Sequence, residues 1–474
     1  MRAPVAIFLA VALAATACSD DVATEGVPST SSSSVPTASQ APSTSTTTTT
    51  TLRVGPDVDN PDAVQGLTGA ITPAPDPDFA REGDWYYAYT TGPGVPILRS
   101  QDLSHWESAG SVFDDPHPAW LDAYEWVGPD DALGAPDVEW FGDRWHLYYH
   151  SHMFTTNNAV TGHASNVTLD PDDPDYEWID DGLIMSSSAD EDDYSVLDAN
   201  ATVDEDGVPW MSFGSFWTGI QLVELDPETG APVPDAPFTV LAIRDPWFKG
   251  VEASSMAFRD GYWYLFVSWG FCCQGVDTQY EIRVGRSADI TGPYVDVAGT
   301  PMLEDAGHLL LGAHEQVRGP GSGDVLVTDD DSWLIHHWYD GDNDGEVTLG
   351  VRPLLWSPDG WPIAADPGFE PAAAGDVTAA QIVGSWELSQ GEEPPFVVEL
   401  GADGVVATAA GSWSYDDATG ALEITLEGEC TGLAGLTHTI MMGASVDAGF
   451  GYSDAALALR AVRNTDEDPT PTPC

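Results

Sequence analysis

Apolar and polar residues alternate in short runs along most of this chain, and five of these runs resemble one another. Each begins with a turn built on Gly or Asp and continues into a strand rich in aromatic and β-branched residues, which is typical of a β-hairpin. The runs are GDWYYAY (83–89), GDRWHLYY (142–149), DGVPWMSF (206–213), DGYWYLFV (260–267) and DDSWLIHHW (330–338). No long stretch shows the 3.6-residue period of an amphipathic helix. The pattern predicts an all-β protein.

The spacing of the runs predicts how the hairpins assemble. Successive turns lie roughly 55 to 70 residues apart, which fits one four-stranded sheet with its loops. One such sheet cannot bury both of its faces alone, so similar sheets arranged around an axis are favoured. We therefore predict a five-bladed β-propeller over residues 61–370.

Acidic residues precede these turns at regular distances. Asp76, Asp198 and Glu252 each lie equally far before an Asp of the next turn, while Asp137 and Asp324 lie slightly closer to theirs. Equivalent positions of different propeller blades converge on the central axis. Several carboxylates are therefore expected to share one funnel.

A second pattern begins after the propeller. Residues 375–468 contain short strands separated by Gly and Asp turns, which predicts a small C-terminal β-barrel-like domain followed by a tail at 469–474. No catalytic group of residues is visible there. Packing against the propeller is the favoured role, and polysaccharide binding is the alternative.

The charge balance restricts the partners. The chain has 77 acidic and 14 basic residues, for a formal net charge of −63, and should repel phosphate backbones and anionic membranes. Nucleic acid is therefore not expected as a partner, and a solvated acidic surface is favoured over many bound calcium ions. Asp340, Asp342 and Asp344 begin like a calcium loop, but Val351 occupies the place of the closing Glu, so a hairpin turn is predicted.

The N-terminus resembles an export signal. Arg2 precedes an apolar run, 3–17, that is too short to span a bilayer and matches a signal-peptide core. Small residues directly before Cys18 resemble a bacterial lipobox, in which Cys18 is lipidated, so 1–18 is predicted to be a lipoprotein-type signal. Residues 19–60, rich in Ser, Thr and Pro, predict a disordered tether. We expect an extracellular, cell-surface bacterial lipoprotein that meets the membrane only through its lipid; ordinary secretion without Cys18 is the alternative.

The remaining cysteines agree with export. Cys272 and Cys273 are adjacent, which permits a vicinal disulfide, and Cys430 with Cys474 would pin the tail. Zinc is not expected, because no second CxxC or HxxxH partner is present.

Specific motifs resemble a known family. They are VEASSMAFRDGYWYLFVSWGFCCQGVDTQYEIRVGRSADITGPY (251–294), GAPDVEWFGDRWHLYYHSH (134–152), TLDPDDPDYEWIDDGLI (168–184), DEDGVPWMSFGSFWTGI (204–220) and RPLLWSPDGWPI (352–363). Together they resemble the endo-1,5-α-L-arabinanases of glycoside hydrolase family 43 over about residues 66–365. The double Cys followed by GxDxxYxIxVGRS is specific to that group.

The resemblance implies a five-bladed propeller and an inverting glycosidase. It assigns the general base to Asp76 in PDPDF, the residue that modulates the pKa of the acid to Asp198 in LDANA, and the general acid to Glu252. Inverting enzymes need one carboxylic acid to protonate the leaving oxygen and one carboxylate to activate water on the opposite face. A third carboxylate near the acid raises its pKa by like-charge repulsion.

Five further residues are candidates for substrate binding, and each also has a structural interpretation. They are Asp137, Phe154, Trp217, Trp269 and His337. The aromatic residues could stack on sugars or belong to the core, and Asp137 could bind substrate or hydrogen-bond to backbone.

Three positions depart from the family pattern. Pro75 replaces a His, Ala199 replaces a Pro, and Ser322 stands where arabinanases carry a His that holds a metal ion. No cofactor is expected to be required for the chemistry, and a structural calcium ion is left open, with His337 or His314 as candidates to compensate.

The sequence thus predicts a monomeric hydrolase that cleaves neutral α-1,5-linked L-arabinan or arabino-oligosaccharides. One alternative is an exo-acting arabinofuranosidase or xylosidase on the same fold. The other is a noncatalytic surface protein that binds glycans, although binding alone would not require all three carboxylates.

Overall fold

A computed structural model describes residues 64–129, 131–246, 249–328, 331–390, 395–408, 410–427 and 435–464. The predicted signal peptide with Cys18, the tether, the pairing of Cys430 with Cys474 and the tail lie outside these residues. Within them, no helix is long and apolar enough to cross a membrane.

Five antiparallel sheets form the blades of a propeller, which confirms the predicted fold. Blade I contains β2 (Asp78–Glu82), β3 (Trp85–Tyr89), β4 (Pro96–Ser100) and β5 (His105–Ser111), with β1 (Thr68–Gly69) added in parallel to β5. Blade II contains β6 (Gly134–Phe141), β7 (Arg144–His152), β8 (Ala159–Asn166) and β9 (Ile179–Ser187). Blade III contains β10 (Asn200–Val203), β11 (Pro209–Phe213), β12 (Ile220–Glu224) and β13 (Thr239–Ala242).

The other two blades follow in chain order. Blade IV contains β14 (Val251–Arg259), β15 (Tyr262–Trp269), β16 (Glu281–Ser287) and β17 (His308–Leu311). Blade V contains β18 (Val317–Val327), β19 (Ser332–Asp340), β20 (Val347–Trp356) and β21 (Pro362–Ala364). Each predicted aromatic strand is the second strand of one blade and pairs with the first strand. The acidic run that resembles a calcium loop is the hairpin turn between β19 and β20, as predicted.

The ring closes without a strand shared between blades I and V in the described part of the chain. The segment before β2 joins them instead: Leu349 N–H donates to the Ile71 carbonyl (2.9 Å) and Ala74 N–H to that of Val347 (3.2 Å). Buried Leu67, Ile71 and Phe79 pack with Ile335, Leu349 and Val351. Apolar burial thus supports the closure.

Side chains on the five innermost strands link each blade to the next. Four of these side chains accept a backbone N–H of the neighbouring blade: Asp78 Oδ2 from Val138 (3.0 Å), Asp137 Oδ2 from Ala201 (2.8 Å), Asn200 Oδ1 from Met256 (3.0 Å) and Asp324 Oδ2 from Phe79 (3.0 Å). Between blades IV and V, the hydroxyl of Ser255 donates to Asp324 Oδ1 (2.5 Å). We call Asp78, Asp137, Asn200, Ser255 and Asp324 the inter-blade ring. The ring provides acceptors for buried backbone N–H groups, because among the residues that the structure describes neighbouring blades are not joined by hydrogen bonds between strands.

Two residues before each ring position, the backbone turns left-handed. These residues are Asp76 (φ 47°), Ala135 (φ 32°), Asp198 (φ 54°), Ala253 (φ 49°) and Ser322 (φ 49°). Left-handed backbone is unfavourable for side chains other than Gly, Asn and Asp. Its recurrence in all five blades shows that the fold imposes it at the start of each innermost strand.

The C-terminal domain is a closed eight-stranded barrel. A short helix α1 (Ala379–Ile382) precedes β22 (Gly384–Ser389), β23 (Phe396–Leu400), β24 (Val405–Val406), β25 (Gly411–Asp416), β26 (Ala421–Leu426), β27 (Thr437–Met442), β28 (Ala448–Ser453) and β29 (Ala458–Arg463). Its interior is filled by apolar side chains that include Trp386, Leu422 and Ile440.

The barrel packs against blades IV and V. Trp361 of blade V is buried with Phe450 and Tyr452 of the barrel. Leu309 N–H donates to the Ala456 carbonyl (3.0 Å), and Tyr452 OH donates to Asp359 Oδ1 (2.6 Å). The structure therefore supports the packing role, while polysaccharide binding by this domain stays a prediction.

Candidate active site

A funnel opens at the propeller axis. Residues from all five innermost strands line it, including Asp76, Asp198 and Ser322. The first strand of each blade begins at this end and the second strand ends here, so the loops between second and third strands surround the mouth.

Asp76 is placed as an ionised carboxylate. Thr91 Oγ1 donates to its Oδ2 (2.7 Å), and Nδ1 of His337 lies 3.3 Å from its Oδ1. Burial by itself would raise the pKa of Asp76, but its contacts with His337, Thr91 and Ser322 hold the pKa below the usual value. Asp76 can therefore accept a proton.

Glu252 lies in a different environment. Its side chain is buried, Ser215 Oγ donates to its Oε2 (2.6 Å) and Tyr280 OH donates to its Oε1. Burial above all, and the charge of Asp76, raise the pKa of Glu252 although both hydrogen bonds lower it. The pKa of Asp198 is raised well above its usual value by burial and by the charges of Glu252 and Asp76. The funnel thus contains carboxyl groups with opposite proton affinities.

The equal spacing of the three acids in the sequence is partly coincidental. Asp76 and Asp198 occupy the left-handed position of their blades, but in blade IV this position is Ala253, and Glu252 lies one residue earlier. The ladder between β14 and β15 shifts register between Glu252 and Ser255. Ala253 N–H then donates to Asp198 Oδ2 (3.0 Å). Register shifts at the equivalent place in β6 and β18 show that this irregularity belongs to the fold, and in blade IV it accompanies the contact of Asp198 with the backbone next to Glu252.

His150 and His337 occupy equivalent positions in two blades, which was not recognised from the sequence. Asp76 N–H donates to His337 Nδ1 (3.0 Å) and Asp198 N–H to His150 Nδ1 (3.3 Å). Each His lies on the second strand of the preceding blade, opposite a Gly of the first strand. Two aromatic runs that contain His, LYYHSH (147–152) and LIHHW (334–338), were the available signal. Burial lowers the pKa of His150 to about 3, so this ring stays neutral.

Three of the candidates for substrate binding have structural contacts. Trp269 is 8% exposed and the guanidinium groups of Arg244 and Arg283 lie over its ring, so it belongs to the blade interior. His337 is buried and contacts Asp76, which makes it a support for that carboxylate. Asp137 is a member of the inter-blade ring, which favours its structural interpretation over substrate binding.

Phe154 and Trp217 remain candidates for sugar contacts. Phe154 is 71% exposed in the loop between β7 and β8, with its ring 4.5 Å from that of His152. Trp217 is half-buried in the loop between β11 and β12, beside Phe216. Both loops lie at the mouth of the funnel.

The family metal site is not reproduced by the described residues. They contain no group of three or more His, Cys, Asp or Glu side chains that could hold a metal ion. His314 is bound to the Gly312 carbonyl and to Arg352, and Ser322 offers only a hydroxyl. Nε2 of His337 is buried without a hydrogen-bond partner, but one imidazole nitrogen does not supply the oxygen ligands that calcium requires. No catalytic step is assigned to a metal.

Known proteins share this architecture. The "Extracellular endo-alpha-(1->5)-L-arabinanase 1" of Bacillus subtilis is 35% identical over 291 residues, 60% of this chain and 86% of the relative. The "Extracellular exo-alpha-(1->5)-L-arabinofuranosidase ArbA" of Cellvibrio japonicus is 34% identical over 298 residues, 60% of this chain and 85% of the relative. The solved α-L-arabinanase of Cellvibrio cellulosa, complexed with arabinohexaose, has a TM-score of 0.59 and 31% identity and covers 62% of this chain and 95% of its own.

The model of Glycosyl hydrolases family 43 matches residues 71–362. The match includes all five blades and the three carboxyl groups of the funnel. The chain therefore belongs to glycosyl hydrolase family 43, and the protein is a glycoside hydrolase.

Proposed function

We propose that the protein hydrolyses α-1,5-linked L-arabinofuranose chains with inversion at the anomeric carbon. The observation that carries this proposal is the contrast between Asp76, whose environment favours the ionised form, and Glu252, whose environment favours the protonated form. A general base and a general acid facing one funnel are the requirement of an inverting glycosidase. The names of the relatives support arabinan as the substrate.

In this mechanism Glu252 gives its proton to the leaving glycosidic oxygen as the bond to the anomeric carbon breaks. Asp76 takes a proton from the water whose oxygen bonds to that carbon from the opposite face. Burial and the charge of Asp76 raise the pKa of Glu252, and Asp198 lies against the backbone of the next residue, Ala253. An α-linked substrate then yields a β-configured product.

The experiment is product analysis with linear α-1,5-arabinan, comparing the purified protein with Glu252→Gln. Wild type should release arabino-oligosaccharides, and proton NMR of the first product should show the β anomer. A chelator-treated sample examines whether a metal ion supports the activity. If no sugar appears from arabinan, arabinosides or xylosides while arabinan still binds, the protein is a glycan-binding module.

A second candidate is exo action, which is favoured by the name of the Cellvibrio japonicus relative. A ladder of intermediate oligosaccharides early in the reaction would identify endo cleavage. One short product from the start would identify exo cleavage.

We also propose export, in the form of a lipid-anchored protein of the cell surface. The apolar run 3–17 and Cys18 support this proposal, and both relatives are named extracellular. Labelling with a radioactive fatty acid in wild type and Cys18→Ala would test the anchor, since label that persists in the variant contradicts it.

A further inference from the structure

Tyr280 contacts Glu252 directly. Its hydroxyl donates to Oε1 of Glu252, while Ser215 Oγ donates to Oε2 (2.6 Å). All three side chains are buried. The carboxyl group therefore has one donor on each oxygen, which fixes its plane and its rotamer.

The position of the Tyr280 ring is fixed by blade V. A Cβ atom at Gly321 would lie 2.0 Å from Cδ2 of Tyr280, so the ring occupies space that only a glycine leaves free. The ring of His337, the cross-strand partner of Gly321, lies near it, with centroids 5.9 Å apart and planes at 23°. Tyr280 thus packs against β18 and β19 with its hydroxyl directed at Glu252.

Tyr280 also ends a rim loop that reaches both sides of the funnel. The loop from β15 contains the Cys272–Cys273 disulfide, and Cys273 N–H donates to Tyr339 OH (3.0 Å). The Tyr339 ring lies 5.4 Å from that of His337, the neighbour of Asp76. The loop therefore contacts residues beside the base and, through Tyr280, the acid.

Several titratable groups face Glu252 from the packed elements. They are Asp76 of blade I, Asp198 of blade III, Tyr280 of its own blade, and His337 and Tyr339 of blade V. The pKa of Tyr280 is raised well above its usual value by burial and by the charge of Glu252. Tyr280 hence stays a donor over the whole working pH range, and its hydrogen bond opposes the burial that raises the pKa of Glu252.

We propose that Tyr280 is a positioning residue for the general acid: its hydrogen bond aims the Glu252 carboxyl at the leaving oxygen. This inference rests on the proposed role of Glu252 as the acid. It adds a function to a residue that was recognised only as part of a sequence motif.

The test is the pH dependence of kcat/KM for Tyr280→Phe on linear arabinan. Loss of the donor should move the alkaline limb upward by about half to one pH unit, because the carboxylate is less stabilised. We expect kcat to fall about 10- to 100-fold. With a 4-nitrophenyl arabino-oligosaccharide, whose leaving group needs little protonation, the loss should be several-fold smaller.

Tyr264→Phe is the matched control. Tyr264 is also a buried tyrosine of blade IV, but its hydroxyl donates to the Gly360 carbonyl (2.5 Å), away from the funnel. Its pH profile should equal that of wild type. The proposal would be overturned if the alkaline limb of the kcat/KM profile did not move in Tyr280→Phe and if kcat fell equally on arabinan and on the 4-nitrophenyl substrate.

Gly321→Ala provides a second route if Tyr280→Phe does not fold. The added Cβ displaces the Tyr280 ring while the hydroxyl is retained, and the same shift and the same dependence on the leaving group are expected. A wild-type pH profile of kcat/KM in this variant would contradict the proposal. Failure of the proposed function would look different, since wild type itself would then release no sugar from arabinan.

Discussion

Carboxyl groups of two kinds lie around the propeller axis. Asp76 accepts a hydrogen bond from the side chain of Thr91, and Glu252 accepts hydrogen bonds from the side chains of Ser215 and Tyr280. Asp78, Asp137 and Asp324 also line the funnel, but each of them accepts a backbone N–H of the neighbouring blade. In blade I the two kinds of carboxyl group, Asp76 and Asp78, are only two residues apart in the chain.

The partner of each carboxyl group determines what the group can do. A carboxyl that accepts backbone donors in the core holds two blades together and cannot leave them without cost. A carboxyl held by side chains is not tied to the backbone of a second blade. The predictions that follow use substitutions that affect one kind and spare the other.

The largest effect is expected for Asp76→Asn. An amide cannot accept the proton of the attacking water, so kcat on arabinan should fall about 10³-fold or more. The midpoint of urea unfolding should stay near that of wild type, because an Asn keeps one acceptor for Thr91. A variant that retains a tenth of the wild-type rate would exclude Asp76 as the base.

A large loss of stability is expected for Asp137→Ala. The substitution leaves the buried Asn200 amide and Ala201 N–H without an acceptor, which should lower the free energy of unfolding by about 3 kcal/mol. Urea titration followed by tryptophan fluorescence measures this loss. Asp143→Ala, at an exposed turn of the same blade, is the control and should change it by less than about 1 kcal/mol.

Asp324→Asn should have an effect that depends on pH. Burial raises the pKa of Asp324 to about 6 from 3.8, against the hydrogen bond from Ser255 and those from backbone. Because the pKa of Asp324 is higher in the folded state, its contribution to the free energy of unfolding is fully present below pH 3.8 and is lost as the pH rises through 6. The amide of Asp324→Asn does not ionise. As the pH rises between these values, the free energy of unfolding of the variant should therefore increase relative to that of wild type, by up to about 3 kcal/mol.

Unfolding of both proteins by urea at several pH values between 4 and 7 would measure this difference. Asn200 shows that an amide fits the ring, since its Oδ1 accepts the Met256 N–H and its Nδ2 donates to Asp137. A stability difference that stays constant with pH would contradict a proton held by Asp324.

The smallest effect is expected for Ala135→Gly. Ala135 has the left-handed backbone of Asp76 and Asp198 but contributes no carboxyl group. Relief of its strain should raise the free energy of unfolding by about 0.5 kcal/mol, net of the greater freedom of Gly in the unfolded chain. Destabilisation in the same urea assay would mean that the Ala135 methyl packs usefully in the funnel.

The fold was largely predictable because its signal is local and repeated. Each aromatic strand after a Gly or Asp turn forms the first hairpin of one blade, and five hairpins require five blades. The barrel followed from the same kind of alternation. What the alternation could not show is how the ring closes, since the contact between Ile71 and Leu349 joins residues far apart in the chain.

The active site was predictable only in part. The motifs identified Asp76, Asp198 and Glu252, but they did not distinguish Asp137 from a residue that binds substrate. They also left Trp269 open between a sugar contact and the core, whereas in the structure two arginines cover its ring. Tyr280 and His150 were missed because their partners lie on other strands or blades.

The sequence by itself determined the all-β class, the number of blades, the barrel and the presence of a family 43 set of acids. Those features depend on periodicity and motif, which are properties of neighbouring residues. The tertiary structure alone decided which carboxyl groups hold the blades together and which can exchange protons. A carboxyl group takes its pKa and its role from burial and from the donors around it, and here those donors come from loops and from neighbouring blades.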